Sequence, residues 1–240
     1  MFNILIMCTL GFAYEFNIGL MGQLPKGEFK EQGVPTGFGI DFNGALYPAD
    51  ALGFGLNIGY GQYGSASRQI PFNYFSDLIT IAENTTNSIG YGHLFFKLTP
   101  FNKKWNVQPY IEGLIGVKHL STKTTLYNNN CWDDPDTNHD DCEIASSTNA
   151  SDWAFSYGLG VGADVLLTKI DSLESLKVGE EAELYFFING RYLWGSEAQY
   201  LKEGDIEFSN PEDGPVETTF NWSASNTDLL HIIIGLAWRF

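Results

Sequence analysis

A chain of 240 residues has room for a single domain of moderate size, and a formal net charge of -16 excludes nucleic-acid binding through a basic patch, because the field of 29 acids over 13 Lys and Arg repels phosphate. Hydrophobic residues make up 44% and aromatics 15%, yet mean hydropathy is only -0.12 and no apolar run approaches the ~20 residues of a membrane-crossing helix, which excludes a helical membrane protein. The 26 glycines exceed the average share of ~7% and suit strands and turns better than helices.

At the N-terminus, MFNILIMCTLGFA has an apolar centre from Phe2 to Gly11 and small residues at Gly11 and Ala13. Residues 1–13 read as an export signal ending at Ala13, truncated at its start, since a basic n-region is missing and the segment is shorter than the usual ~15 to 30 residues. The competing reading is a first strand or buried segment. Cys8 falls inside the signal, leaving Cys131 and Cys142 in the mature domain, 14–240. An even pair in an exported chain implies a disulfide closing a short loop.

From Tyr14 onward the chain alternates with the period of two that a strand requires. Tyr14, Phe16, Ile18 and Leu20 oppose Glu15, Asn17 and Gly19, and after a polar connection from Pro25 to Thr36, Phe38, Ile40 and Phe42 oppose Gly39, Asp41 and Asn43. The tight turn Tyr47-Pro48-Ala49-Asp50-Ala51 leads into Leu52, Phe54, Leu56, Ile58 and Tyr60, which oppose Gly53, Gly55, Asn57, Gly59 and Gly61. Ser65 to Asn87 reads as a long connection. Ile89 to Leu98 is a strand whose two parities both carry aromatics, so its facing is undetermined.

Thr99 to Asn106 is a short connection, after which Ile111, Ile115 and Val117 oppose Gln108, Glu112 and Lys118. Ser121 to Asp152 is the longest nonperiodic stretch. Trp153, Phe155, Tyr157, Leu159, Val161 and Val165 then oppose Ser156, Gly158, Gly160, Gly162 and Asp164, and after a connection over Thr168 to Glu181, Leu184, Phe186, Ile188, Tyr192 and Trp194 oppose Glu183, Asn189 and Arg191. Gly195 to Asn226 is long again. Its segments Gln199 to Ser209 and Val216 to Ser225 flank a turn at Pro211 to Pro215, which reads as strands seven and eight projecting as a hairpin that could bind partners by strand addition. In the last segment, Leu230, Ile232, Ile234, Leu236, Trp238 and Phe240 share one parity, against His231, Ile233, Gly235, Ala237 and Arg239.

These segments make eight strands joined by alternating long and short connections. An open sheet with one face so apolar would have nowhere in water to hide it, and its two edges would invite aggregation. Closure within a bilayer pairs every backbone group and turns the apolar faces to lipid. The expected fold class is therefore all-β, an eight-stranded antiparallel transmembrane β-barrel.

The ending LLHIIIGLAWRF, in which Leu236, Trp238 and Phe240 keep one face apolar to the terminus, resembles the assembly signal of bacterial outer-membrane barrels. Together with YPADALGFGLNIGYG (Tyr47 to Gly61), VQPYIEGLIG (Val107 to Gly116) and WAFSYGLGVGADV (Trp153 to Val165), it makes the chain similar to the small outer-membrane barrels of the OmpA, OmpX and OmpW type, including the opacity-like proteins. The resemblance implies an outer-membrane location with extracellular loops and periplasmic termini, contact with outer-membrane lipid, delivery by the barrel assembly machinery through the last strand, a porin-like monomeric body and no cofactor.

Several expectations follow for sites. The inward parity collects Glu15, Asp41, Glu112, Lys118, Asp164, Glu183, Arg191 and Arg239, a lumenal charge network, because buried charges must be paired. Pairing of the first and last strands sets Glu15 beside Arg239. Eight strands leave an interior just wide enough for side chains or one small ligand, so a sealed interior competes with a narrow conduit for small or hydrophobic solutes. The two longest connections hold about half of the acids, suiting a surface ligand or partner, and Asp134, Asp136, Asn138 and Asp140 resemble the start of a calcium loop. His139 and Ala145 stand where such a loop needs glycine and glutamate, so a solvated acidic loop is the simpler reading. His119 and Ser121 have the spacing of the lipid-facing pair in outer-membrane phospholipases and lipid A deacylases. Thr122 replaces the expected asparagine and no orienting acid is recognisable, so the main expectation is a non-enzymatic barrel with a structural or surface-interaction role.

Overall fold

The computed structural model describes residues 13–73, 76–99, 105–128, 143–170, 182–202, 205–209 and 217–240. Eight strands close into an antiparallel barrel: β1 (Ala13–Pro25), β2 (Gly37–Ala49), β3 (Leu52–Asn73), β4 (Ser76–Leu98), β5 (Val107–Asn128), β6 (Glu143–Ile170), β7 (Ala182–Gly195) and, after four short strands, β12 (Leu229–Arg239). Each pairs with its sequence neighbour, and β12 closes the ring on β1 from Glu15↔Arg239 to Pro25↔Leu229. Closure leaves no unpaired edge along the barrel wall, which is what a bilayer demands of a sheet.

The two faces follow the sequence alternation. Phe16, Leu20, Phe38, Leu56, Leu159 and Ile232 are among the large apolar side chains that stand exposed on the outside, while Glu15, Asp41, Asn57, Ser156 and Asp164 are buried inside. For β4 the register settles what the alternation left open. Phe54↔Phe96 and Leu56↔Leu94 place Leu94 and Phe96 on the outer belt, so Tyr91, His93, Phe95 and Lys97 point inward and are buried.

The stretches read as long connections around the middle of the chain are largely strand. Ladder pairs run from Ser65↔Thr86 to Pro71↔Thr80 between β3 and β4, and β5 and β6 stay paired as far as Tyr127↔Glu143. The alternation disappears there because both faces of the sheet lie beyond the apolar belt, where Ser65, Asn84, Thr86, Ser146 and Thr148 need no apolar partner. Strands β3 to β6, at 22, 23, 22 and 28 residues, therefore rise as a wall above β1, β2, β7 and β12, at 13, 13, 14 and 11.

The end that carries the long connections is termed upper. There the polar connection after β1 contains a short helix, α1 (Gly27–Glu31). The segment after β7 does not continue as one hairpin. It breaks at Ser196 and forms two small two-stranded sheets, β8 (Glu197–Tyr200) with β11 (Ser223–Asn226) and β9 (Ile206–Ser209) with β10 (Glu217–Phe220).

Candidate functional site: the lumen and its upper mouth

The lumen is organised by two ionic clusters. Near the lower end, where β1 begins and β12 ends, Lys97 Nζ lies 2.9 Å from Glu15 Oε1 and 2.8 Å from Asp164 Oδ2, and Arg239 lies 2.5 Å from Glu15 Oε2 and 3.3 Å from Asp164 Oδ2. Two cations thus face two carboxylates in a closed ring drawn from β1, β4, β6 and β12. Tyr47 adds a hydrogen bond to Glu15 at 2.8 Å, and the Arg239 guanidinium sits 4.8 Å from the Tyr185 ring. Gln108 Oε1 accepts from Arg239 at 2.8 Å.

Arg191 is the hub of the second cluster. Its guanidinium reaches Asp41 at 3.1 Å and Asn43 at 3.2 Å and is hydrogen-bonded to Glu112, spanning the lumen from β7 to β2 and β5. Asp41 also accepts from Tyr91 Oη at 2.5 Å and from Asn57 at 2.7 Å, while Glu112 accepts from Asn189 at 2.8 Å. Asp41 and Glu112 are thus each held by Arg191 and by neutral donors, the condition under which a buried ion is tolerable.

Two of the charges grouped with these in the sequence lie elsewhere. Glu183 has the inward parity but sits at the lower rim, half exposed, where it pairs with Lys169 at 2.8 Å. Position along the strand, which parity does not encode, puts it beside water. Lys118 is fully buried near the upper end, where its ammonium donates to the backbone carbonyl of Thr227. Lys97 was missed because the facing of β4 could not be read; its partners come from strands 82 and 67 residues away in sequence.

Glycines on the inner face would leave space if nothing filled it, but tyrosines do. A Cβ at Gly53 would meet the Tyr47 ring at 2.8 Å, one at Gly59 would collide with the Tyr91 hydroxyl, and one at Gly162 with the Tyr110 ring. Small residue and large ring are neighbours on adjacent strands, as in the register pairs Gly59↔Tyr91 and Tyr110↔Gly162, so each ring lies over the space its glycine leaves. His93, whose Nε2 is 3.0 Å from Ser156 Oγ, and His231 are buried beside Tyr91, with ring centroids 5.3 and 5.1 Å from its ring.

The upper mouth is covered. Phe29 of α1 is fully buried, with ring centroids 5.0 Å from Tyr200 and 6.1 Å from Tyr63 in edge-to-face geometry. Val34, Leu120, Leu193, Tyr200 and Leu229 join it in one apolar cluster. Polar ties hold this lid: Lys26 N donates to Asp228 O at 2.9 Å, Asn226 N to Glu28 Oε2 at 3.1 Å and Lys202 Nζ to the Gln32 carbonyl at 3.0 Å. Burial pushes the Tyr200 phenol above its ordinary pKa, and its hydroxyl bonds Ser225 Oγ at 2.8 Å.

His119 and Ser121 both stand on the outer side of β5, half exposed. The histidine Nε2 lies 2.7 Å from Ser151 Oγ across the β5–β6 ladder and its ring rests 4.5 Å from Trp153, so the serine two residues on is not its partner. Register decides this, since Ser121 pairs with Ser151 and His119 with Trp153. Cys131, Cys142, Asp134, Asp136, Asn138 and Asp140 lie outside the described residues, as do residues 1–12 of the segment expected to be an export signal. At the other terminus, Leu236 is exposed on the outer belt, Trp238 and Phe240 are half exposed on the same face, and Phe240 exchanges backbone hydrogen bonds with Tyr14.

A closed eight-stranded antiparallel sheet with an apolar outer face and paired charges within is a transmembrane barrel of the bacterial outer-membrane class. Among solved structures the chain is similar to Neisserial surface protein A, at 10% identity and a TM-score of 0.37 over 95% of this chain and 96% of that one. It is similar also to Ail, the attachment invasion locus protein of Yersinia pestis, at 13% identity and 0.35 over 95% and 98%. A third likeness is to the N-terminal β-barrel domain of Pseudomonas aeruginosa OprF, at 10% identity and 0.30 over 94% and 97%. No protein-family model and no curated protein matches the chain. The class therefore rests on the closed sheet and its two faces.

Proposed function

We propose that the protein is a non-enzymatic outer-membrane barrel with a sealed lumen, which serves a structural or surface-interaction role through what it carries above the membrane. The filled interior supports this reading most directly: Lys97 and Arg191 each bridge carboxylates from different strands, tyrosines occupy the space over the glycines, and Phe29 covers the mouth. A conduit for small solutes would need a continuous path through both ionic clusters and the lid. In this orientation the upper connections are extracellular and both termini periplasmic, with the C-terminal strand read by the assembly machinery and the barrel acting as a monomer.

Purified protein in planar bilayers is expected to show no discrete conductance steps. Phe29→Ala is expected to stay silent as well, because the ionic clusters lie below the lid, while losing about 3–5 kcal/mol of stability, as for other buried Phe→Ala changes. Steps from the unaltered protein would refute the sealed lumen.

The exported form is proposed to begin at Tyr14 and to carry a Cys131–Cys142 disulfide. Intact mass of protein extracted from outer membranes should correspond to residues 14–240 and rise by about 2 Da on reduction. A retained N-terminal segment would remove the export-signal reading, and an unchanged mass on reduction would remove the disulfide.

A further inference from the structure

Lys118 stands apart from the other lumenal cations. Lys97, Arg191 and Arg239 each meet carboxylates, whereas no carboxylate among the described residues comes within ion-pair distance of the Lys118 ammonium. The carboxylate whose charge acts on it is Asp228, which spends its oxygens on the Gly195 N–H at 3.0 Å and the Tyr192 hydroxyl at 3.4 Å. Lys118 is nevertheless fully buried, and of its three N–H donors only one finds an acceptor among the described residues, the Thr227 carbonyl. Gly195 permits that approach, since a Cβ there would meet the ammonium at 2.6 Å. A dehydrated ammonium without a counter-charge is costly.

Two imidazoles share its surroundings. Tyr91 connects them, because it lies opposite Lys118 in the β4–β5 ladder and its ring is flanked by His93 and His231 at centroid distances of 5.3 and 5.1 Å. Lys118 is the charged group that acts most strongly on both rings. His231 is 0% exposed, yet neither of its ring nitrogens has a hydrogen-bond partner among the described residues. A neutral imidazole carries one N–H and one lone pair, so His231 buries a donor as well as an acceptor unsatisfied. His93 reaches across Gly116, the residue opposite both it and Ser156, to bring Nε2 to the serine hydroxyl, while its Nδ1 is left without a partner.

We infer that Lys118, His231 and His93 line an internal site for one small monovalent inorganic anion, of chloride or bromide size, in the upper lumen beneath the Phe29 lid. The ammonium supplies the counter-charge and the His231 N–H a directed bond, and His93 adds a second when Nε2 accepts from Ser156 and Nδ1 holds the proton. Water alone would fill the hydrogen-bonding gaps but leave the ammonium charge uncompensated, and a cation would meet Lys118 and Arg191 as like charges. Burial sets the size and charge of the occupant. Leu120, Leu193 and Leu229, each at most 1% exposed, pack in the same upper cluster as Phe29, so the ion enters without its water. That cost rises steeply from a halide to a multiply charged anion such as sulfate or phosphate. The site goes beyond the structural or surface-interaction role and adds a bound ion to the closed interior.

The test uses the full mature chain in phospholipid vesicles at constant ionic strength, with sodium chloride or bromide exchanged stepwise for sodium gluconate, whose anion is too large for the site. The urea midpoint of unfolding is expected to rise with either halide and then level off, as a ligand bound by the folded state alone requires. Lys118→Met should remove the halide dependence whatever it does to stability in gluconate. His231→Leu keeps the charge but deletes a donor, so half the effect should need at least tenfold more halide. It also carries the test if Lys118→Met fails to fold. Glu183→Gln alters a charge at the lower rim and should leave the dependence unchanged. Equal midpoints in halide and gluconate would mean that water alone serves these groups, and would overturn the inference. So would a rise that never levels off and is the same in every variant, which is the general effect of salt on a folded protein. Conductance tests the seal and halide dependence tests the site, so the two fail separately.

Discussion

Replacing Arg191 by methionine is expected to lower the stability of the barrel by about 3–5 kcal/mol, the range for removing one partner from a buried ion pair. Arg191 is fully buried and touches Asp41, Asn43 and Glu112 on two other strands. Methionine keeps much of the volume but leaves two carboxylates without a cation in an interior lined by Tyr91 and Tyr110, where the Coulomb penalty is little screened. Urea unfolding in vesicles, followed by tryptophan fluorescence, measures the loss. Adding Asp41→Asn and Glu112→Gln should recover most of it, because a neutral hydrogen-bonded set avoids the uncompensated charge. A loss below about 1 kcal/mol for Arg191→Met, or no recovery in the triple variant, would show that the cluster contributes little.

Leu56→Arg tests the other face. Leu56 is 62% exposed, lies opposite Gly44 on β2 and Leu94 on β4, and belongs to the apolar belt. In a bilayer an arginine there should cost about 2–4 kcal/mol, since barrel strands pay this near the midplane. Gln62→Arg, on the same outer face but six residues higher, should cost about 0–1 kcal/mol, the value near an interface. The gradient between the two sites carries the test. Equal and small effects would mean that the belt does not face lipid.

Much of the barrel could be read without coordinates. The parity of Tyr14 to Leu20, of Leu52 to Tyr60 and of Trp153 to Val161 gave the inward and outward sets, because a strand between lipid and lumen is pressed by a different medium on each face. The ends of the strands were less readable. Ser65 to Asn87 looked like loop because, above the belt, water bathes both faces and the alternation is lost although the backbone ladder continues. For β4, aromatics on both parities concealed Lys97, which fills the lumen with Tyr91 and Phe95 while Leu94 and Phe96 meet lipid.

Local residue order therefore determined the number of strands, their facing where only one parity is apolar, and the neighbours β1 and β12, since each follows from a period of two and from closure. Apart from Glu15 and Arg239, which strand closure already sets side by side, tertiary structure decided which charges meet. Lys97 lies between Glu15 and Asp164, Arg191 crosses to Asp41 and Glu112, Glu183 stays at the rim, and His119 turns to Ser151. It also decided that Phe29, in a segment that reads as polar loop, covers the mouth. These contacts join residues far apart in sequence across a lumen whose width and stagger are set by all eight strands together, so no single stretch of the chain encodes them.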